Sequence, residues 1–173
     1  MQVRMGLPAA GLLAICVGLG MAKAPSDEVK ATLERFQKED SSVGAAIKSA
    51  AGYALFPSVK KGGLGIGGAR GSGELIEKGE AVGKTTLTQV SIGFQAGGQA
   101  YAELILFETP AAVENFRSGK FAFGAQVSAV AVKSGASANA KYAEGVKVLT
   151  MANGGLMYEA SVGGQKFKFE AYK

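Results

Sequence analysis

The segment FPSVKKGGLGIGGARGSG, residues 56–73, sets the pattern from which the rest of this chain is interpreted. Seven of the twelve residues from Gly62 to Gly73 are glycine, and Leu64 and Ile66 alternate with them. A flexible linker does not show that alternation. Because glycine has no Cβ, it lets a second backbone or a ligand approach closely. The segment therefore predicts a close approach, by protein or by ligand.

Four basic residues lie in or near this segment and form the candidate lipid-binding site: Lys60, Lys61, Arg70 and Lys84. Backbone amides in a glycine turn can form an anion-binding nest. With lysine side chains beside it, such a nest suits a lipid phosphate. The alternative is that these are ordinary solvated side chains, as most lysines are.

Two sequences here look like nucleotide-binding motifs but lack the required context. Residues 63–68 spell GxGxxG, which needs a buried strand before it and a helix after it. A proline and two lysines precede these glycines, and a strand pattern follows them. Residues 79–85, GEAVGKT, have one residue too few between the glycines for a P-loop. We therefore expect no nucleotide and no other cofactor.

Two helices are predicted before the glycine segment. Residues 26–38 begin with a serine suited to an N-cap and two acids in the first turn, and they carry one apolar stripe at Val29, Leu33 and Phe36. This helix either lies on a membrane interface or packs on its own domain. A second, short helix is expected from Ser41 or Ser42 to Ala51, with Gly52 as its left-handed cap.

From Gly62 onward the apolar pattern changes from a period of 3.6 residues to a period of two, which predicts strands. The predicted strands are residues 74–77, 85–99, 101–108, 121–132, 146–151, 156–162 and 166–172. A short helix is expected at 111–117 and a loop at 134–140. The fold class is therefore α+β: N-terminal helices followed by a curved antiparallel sheet or small barrel, with one short helix inserted.

Residues 1–24 are set apart from the rest by their composition. Arg4 precedes an uncharged run, and Ala22-Lys23-Ala24 has the small-x-small pattern of a signal-peptidase site, with Ala22 as another cleavage point. We expect a signal peptide at 1–24, a single domain at 25–173, and a periplasmic or secreted location at or near a membrane. Lipidation at Cys16 and retention of the run as an anchor are the alternatives.

The residue types leave little room for catalysis. The chain has no histidine and one cysteine, which removes the common bases, nucleophile pairs and most zinc or copper sites. Glu103 and Glu159 stand in apolar strands, and a pair of buried glutamates could serve acid–base chemistry. Each glutamate is more simply paired with a donor or exposed on the polar side of its strand. We therefore expect a protein that is not an enzyme and binds no metal.

Three separated blocks resemble one known family. They are residues 56–73, residues 88–108 (TQVSIGFQAGGQAYAELILFE) and residues 155–169 (GLMYEASVGGQKFKF). Together they resemble the SYLF domain, the lipid-binding domain also known as a Ysc-type actin-binding domain, over about Ala50 to Phe169. The resemblance implies lipid binding, with phosphoinositide binding and actin bundling in eukaryotic members.

A chain with a signal peptide and this composition looks bacterial, so actin is not expected as a partner. The net charge of +5 suits an anionic surface. We therefore expect an exported, non-enzymatic module that contacts anionic phospholipid headgroups at a membrane, with no nucleic acid partner. The alternative is an envelope scaffold, or a domain that binds an envelope protein without a direct lipid role.

Overall fold

The computed structural model describes residues 21–64, 66–92, 98–119, 121–124, 126–153 and 162–173. The described helices are α1 Asp27–Glu39, α2 Val43–Ser49, α3 Pro110–Arg117 and α4 Ala136–Asn139. The described strands are β1 Gly52–Leu64, β2 Ile66–Glu77, β3 Glu80–Ile92, β4 Gln99–Phe107, β5 Ala129–Ala131, β6 Val146–Ala152 and β7 Lys166–Ala171. Three predictions from the sequence lie outside the described residues: most of the signal peptide with Cys16, the strand 156–162 except for Val162, and Glu159.

The helices begin where their capping residues predict. The Ser26 hydroxyl accepts a hydrogen bond from the Val29 amide at the start of α1. Thr109 does the same for the Ala112 amide at the start of α3, with Pro110 in the first turn. A side-chain oxygen in this position satisfies one of the amides that a helix leaves unpaired. The helices predicted at 26–38 and 111–117 are therefore confirmed, and the second predicted helix is confirmed in part, as the shorter α2 with no side-chain capping bond.

The strands form one seven-stranded sheet in the order β5-β6-β4-β1-β2-β3-β7. Each neighbouring pair is antiparallel except β5 and β6, which are parallel. The α+β class is confirmed, but the sheet is mixed and does not close into a barrel. The chain enters β5 after crossing from the β7 edge, where Ala122 pairs with Lys166, to the far edge beside β6.

The predicted strand 121–132 is wrong over most of its length. Only Ala129–Ala131 forms a strand. Phe121, Phe123 and Val127 are nevertheless buried, alternating with more exposed neighbours. An extended segment that lies across an apolar core shows the same two-residue period as a strand, so the pattern predicted the burial correctly and the hydrogen bonding wrongly.

The start of the sheet also differs from the prediction. Gly52 is the first residue of β1 and not a helix cap, and β1 continues through Pro57. Both ladders of β1 shift register around this proline, which has no amide hydrogen to donate. Phe56 and Val59 consequently belong to the same core although they are three residues apart.

The predicted loop 134–140 contains the short helix α4. The Asp40 carboxylate, just after α1, accepts hydrogen bonds from the amides of Gly135 and Ser137 at 3.2 and 2.7 Å. Ser42 also donates to it from its amide and its hydroxyl. Burial alone would raise the pKa of Asp40, but these bonds outweigh it and hold the pKa well below its usual range. These long-range hydrogen bonds hold α4 in place, and no local sequence pattern predicts them.

The sheet packs a separate core on each face. On one face, α1 and α2 contribute Val29, Phe36 and Val43 to a core over β1, β4 and β6. On the other face, α3 contributes Val113 and Phe116 to a core rich in phenylalanine. The aromatic rings in this inner core are 4.9–5.9 Å apart between centroids: Phe56, Phe107, Phe116, Phe121, Phe123 and Phe167.

The glycines in β2 allow close packing against β1. A Cβ at Gly71 would lie 2.8 Å from Cγ2 of Val59, and one at Gly73 would overlap the carbonyl oxygen of Leu55. At these two positions the predicted close approach is confirmed, and the approaching group is the neighbouring strand. No described helix is long and apolar enough to cross a membrane.

Candidate functional site

A row of exposed side chains crosses four neighbouring strands. Lys60 of β1 lies opposite Arg70 of β2, Arg70 opposite Thr88 of β3, and Thr88 opposite Lys166 of β7. All four residues are exposed. Because directly opposite residues in a ladder point to the same face of a sheet, this row places three cations on one surface.

The next two rows extend the same surface. Ser72, Thr86 and Lys168 form one row, and Glu74, Lys84 and Glu170 form the following one. Lys84 and Lys168 are exposed. We call the whole set the basic face, and it consists of Lys60, Arg70, Lys84, Lys166 and Lys168.

The carboxylates in these rows only partly offset the positive charge. Glu170 lies 2.6 Å from the ammonium of Lys168, and this hydrogen bond lowers the pKa of Glu170. Glu74 is buried and accepts hydrogen bonds from the Ser26 amide at 2.9 Å and the Tyr172 hydroxyl at 2.7 Å. Lys60 and Arg70 form no ion pair with any described carboxylate. The field at their end of the basic face is therefore positive.

Lys61 does not belong to this surface. It pairs with Ala69, which is buried in the inner core, and it is itself half-buried. Since successive residues of a strand point to opposite faces, Lys60 and Lys61 cannot share one. The structure thus brings together Lys60, Arg70 and Lys84 from the predicted set and separates Lys61 from them.

Two members of the basic face were missed in the sequence. Lys166 and Lys168 alternate with Phe167 and Phe169 in β7, so their common face was readable from the pattern. Their neighbours across the sheet could not be predicted from the sequence, because β7 pairs with β3, about 80 residues earlier in the chain.

An apolar side chain accompanies the basic face. Val90 lies opposite Gly68 on the same side of β3 as Thr88, and 78% of it is exposed. Opposite Gly68 stands Gly62 of β1. Because neither glycine has a side chain, neither can cover Val90 from the adjacent strands.

The apolar stripe of α1 packs against the rest of the domain. Val29 and Phe36 are buried in the core beneath α1, and Leu33 packs against it. This arrangement corresponds to the second of the two alternatives, a helix that packs on its own domain. In this conformation α1 has no free apolar stripe to place on a membrane.

Glu103 is buried in the interior of the protein and is not exposed on its surface. It is fully buried in β4, and its Oε2 accepts a hydrogen bond from Nε2 of Gln165 at 3.0 Å. Burial raises the pKa of Glu103 to about 7, although hydrogen bonds from Gln165 and Tyr101 oppose the shift. The other predicted acid, Glu159, lies outside the described residues, so the suggested pair of glutamates is not tested.

No described residues form a cluster of three or more carboxylates, cysteines or histidines that could hold a metal ion. The structure therefore offers two features to interpret among its described residues: the exposed basic face and the buried carboxylate of Glu103.

The chain is similar to known proteins of one kind. Residues 88–171 match the Ysc84 family, described as "Las17-binding protein actin regulator". The chain is also 30% identical, over 138 residues, to Beta cell expansion factor A of Aeromonas veronii. That alignment covers 78% of this chain and 52% of the relative, so the chain spans about half the length of the curated relative.

Proposed function

Because residues 88–171 belong to the SYLF, or Ysc84, family, a family of lipid- and actin-binding modules, we propose that this chain binds membranes. In this proposal it is a non-enzymatic module, and its basic face contacts the headgroups of anionic phospholipids. The single observation that carries the proposal is the pairing of Lys60 with Arg70 at exposed positions of the sheet. Like charges directly opposite each other destabilise a sheet, and an anion held between them removes that cost.

The size of the surface suits a membrane. The five cations span β1, β2, β3 and β7, so they form a broad patch and not a pocket for one small anion. Each basic residue near an anionic bilayer contributes about 1 kcal/mol to binding. Val90 adds an exposed apolar side chain that can leave water when the face meets lipid.

We propose that the chain is exported to the periplasm or out of the cell, because residues 1–24 carry a signal-peptide pattern. Within the predicted signal-peptide region, Lys23 forms two backbone hydrogen bonds with Ala81, at 2.8 and 3.0 Å. Its ammonium also lies 3.7 Å from the centre of the Tyr172 ring. Cleavage after Ala22 keeps these contacts, and cleavage after Ala24 removes them. We therefore expect the intact mass of the exported protein to correspond to a chain that begins at Lys23.

The test is co-sedimentation of residues 23–173 with vesicles of phosphatidylglycerol or of phosphatidylcholine, at low and high salt. Attraction between the basic face and headgroup phosphates predicts binding to phosphatidylglycerol that weakens steeply as salt screens the charges. Equal binding to both lipids, or no binding, would reject the proposal. In that case crosslinking in intact cells would look for an envelope protein partner.

A further inference from the structure

A group of polar side chains lies on the face of the sheet that carries the phenylalanine core. Tyr101 and Glu103 come from β4, Thr150 comes from β6, and Gln165 comes from the turn before β7. Glu103, Thr150 and Gln165 are completely buried, and Tyr101 is 2% exposed. They are brought together although up to 64 residues separate them in the chain.

Hydrogen bonds join three of these side chains, and the fourth, Thr150, stands beside Glu103 on the neighbouring strand. Glu103 and Thr150 are cross-strand partners, so they point to the same face. One nitrogen, Nε2 of Gln165, donates to Oε2 of Glu103 at 3.0 Å and approaches the Tyr101 hydroxyl at 3.4 Å. The four side chains therefore form one cluster, which we call the inner polar cluster.

Three oxygen atoms of this cluster have no hydrogen-bond partner among the described residues. They are Oε1 of Glu103, Oγ1 of Thr150 and Oε1 of Gln165. Buried polar atoms in proteins are nearly always paired, because leaving one unpaired costs its lost hydration. Three such atoms on contacting side chains are therefore better explained by a common partner than by three separate defects.

The chemistry of the three atoms defines that partner. A carboxylate oxygen and an amide oxygen only accept hydrogen bonds, and a threonine hydroxyl accepts as well as donates. None of the described ion pairs or hydrogen bonds joins Glu103 to a lysine or arginine. Its neighbours across the ladders are Phe56 on β1 and Thr150 on β6. A buried carboxylate without a positive partner is costly when ionised, so the favoured ligand is small and positively charged.

We propose that the inner polar cluster is a binding site for a small monovalent cation, either an alkali ion or ammonium, held by Glu103, Thr150 and Gln165. Oxygen ligands from a carboxylate, a hydroxyl and an amide suit a hard cation. One negative charge matches one positive charge. The site is separate from the basic face, and it stands whether or not that face binds lipid.

The test is thermal unfolding of residues 23–173 at pH 8 in ammonium, potassium, sodium or tetramethylammonium chloride at equal ionic strength. Tetramethylammonium has the same charge but cannot donate hydrogen bonds or fit closely to oxygen atoms. A cation that binds only the folded state raises the midpoint. We expect at least one small cation to raise it by about 3 °C or more over tetramethylammonium. Equal midpoints in all four salts would overturn the proposal.

Two variants show whether the effect belongs to this site. Glu103→Gln keeps the shape and removes the charge, so it should abolish the difference between salts. Glu170→Gln makes the same change in charge at an exposed position and should leave the difference intact. If Glu103→Gln does not fold, Thr150→Val serves in its place and should reduce the difference. A difference that persists in the inner variant would contradict the assignment.

Discussion

Lys60 and Arg70 are exposed cross-strand partners, and neither forms an ion pair with a described carboxylate. A sheet optimised for stability alone would place an opposite charge or a β-branched residue at one of these positions. Retaining two cations there makes sense if an anion lies over them during function.

This pairing predicts a trade between stability and binding. Replacing Arg70 with threonine removes the repulsion and supplies a residue that favours strands, so the free energy of unfolding should rise by about 0.2–1 kcal/mol. The same change should weaken binding to phosphatidylglycerol vesicles. Urea denaturation and co-sedimentation measure the two effects. A variant that loses stability, or that keeps full binding, would show that Arg70 has a structural role instead.

Val90 should enter the lipid interface when the basic face binds. The chain has no tryptophan, so Val90→Trp introduces a single fluorescent reporter at a position that is 78% exposed. With phosphatidylglycerol vesicles, we expect its emission to shift to shorter wavelength and to be quenched by brominated lipid. Ala45→Trp, at an exposed position of α2, is the matched control and should show neither change. The same response from both reporters would mean that the protein binds in another orientation.

The buried carboxylate predicts how stability depends on pH. Burial raises the pKa of Glu103 from 4.5 to about 7, so the folded state holds a proton that the unfolded state has released. Stability should therefore fall as the pH rises from about 5 to 7 and level off above that. The shift corresponds to a loss of about 3 kcal/mol at most.

Glu103→Gln removes the titrating group and should flatten this part of the curve. Urea denaturation between pH 5 and 8, in tetramethylammonium chloride, makes the comparison without a small metal cation. A slope of the same size in the variant would mean that another group is responsible.

Local patterns in the sequence predicted the elements whose causes are local. The serine at position 26 predicted the start of α1 because a capping side chain bonds to an amide three residues away, and Thr109 has the same role at the start of the helix predicted at 111–117. The predicted strand 74–77 ends at the turn between β2 and β3, where Lys78 and Gly79 both have positive φ. Strand β7 followed from its alternation of lysine and phenylalanine, and β4 and β6 followed from short apolar runs that are buried almost throughout.

The sequence failed where distant residues decide the outcome. The register shift around Pro57 determines which residues of β1 face the phenylalanine core. The glycines that follow have no side chains, so their sequence does not show which face each residue occupies. Lys60 and Lys61 could therefore not be assigned to faces in advance. The contact of Gln165 with Glu103 joins residues 62 positions apart, so the inner polar cluster left no local pattern.

The lipid-binding role of the basic face is tested most directly by the effect of charge reversal on binding to phosphatidylglycerol vesicles at low salt. The test variant is Lys60→Glu/Arg70→Glu, and the control is Lys133→Glu/Lys141→Glu, which makes the same change in net charge at exposed positions flanking α4. We expect the first variant to lose most of its binding and the control to keep most of it. Equal losses would mean that net charge alone drives binding, and unchanged binding in the first variant would contradict the assignment of the basic face.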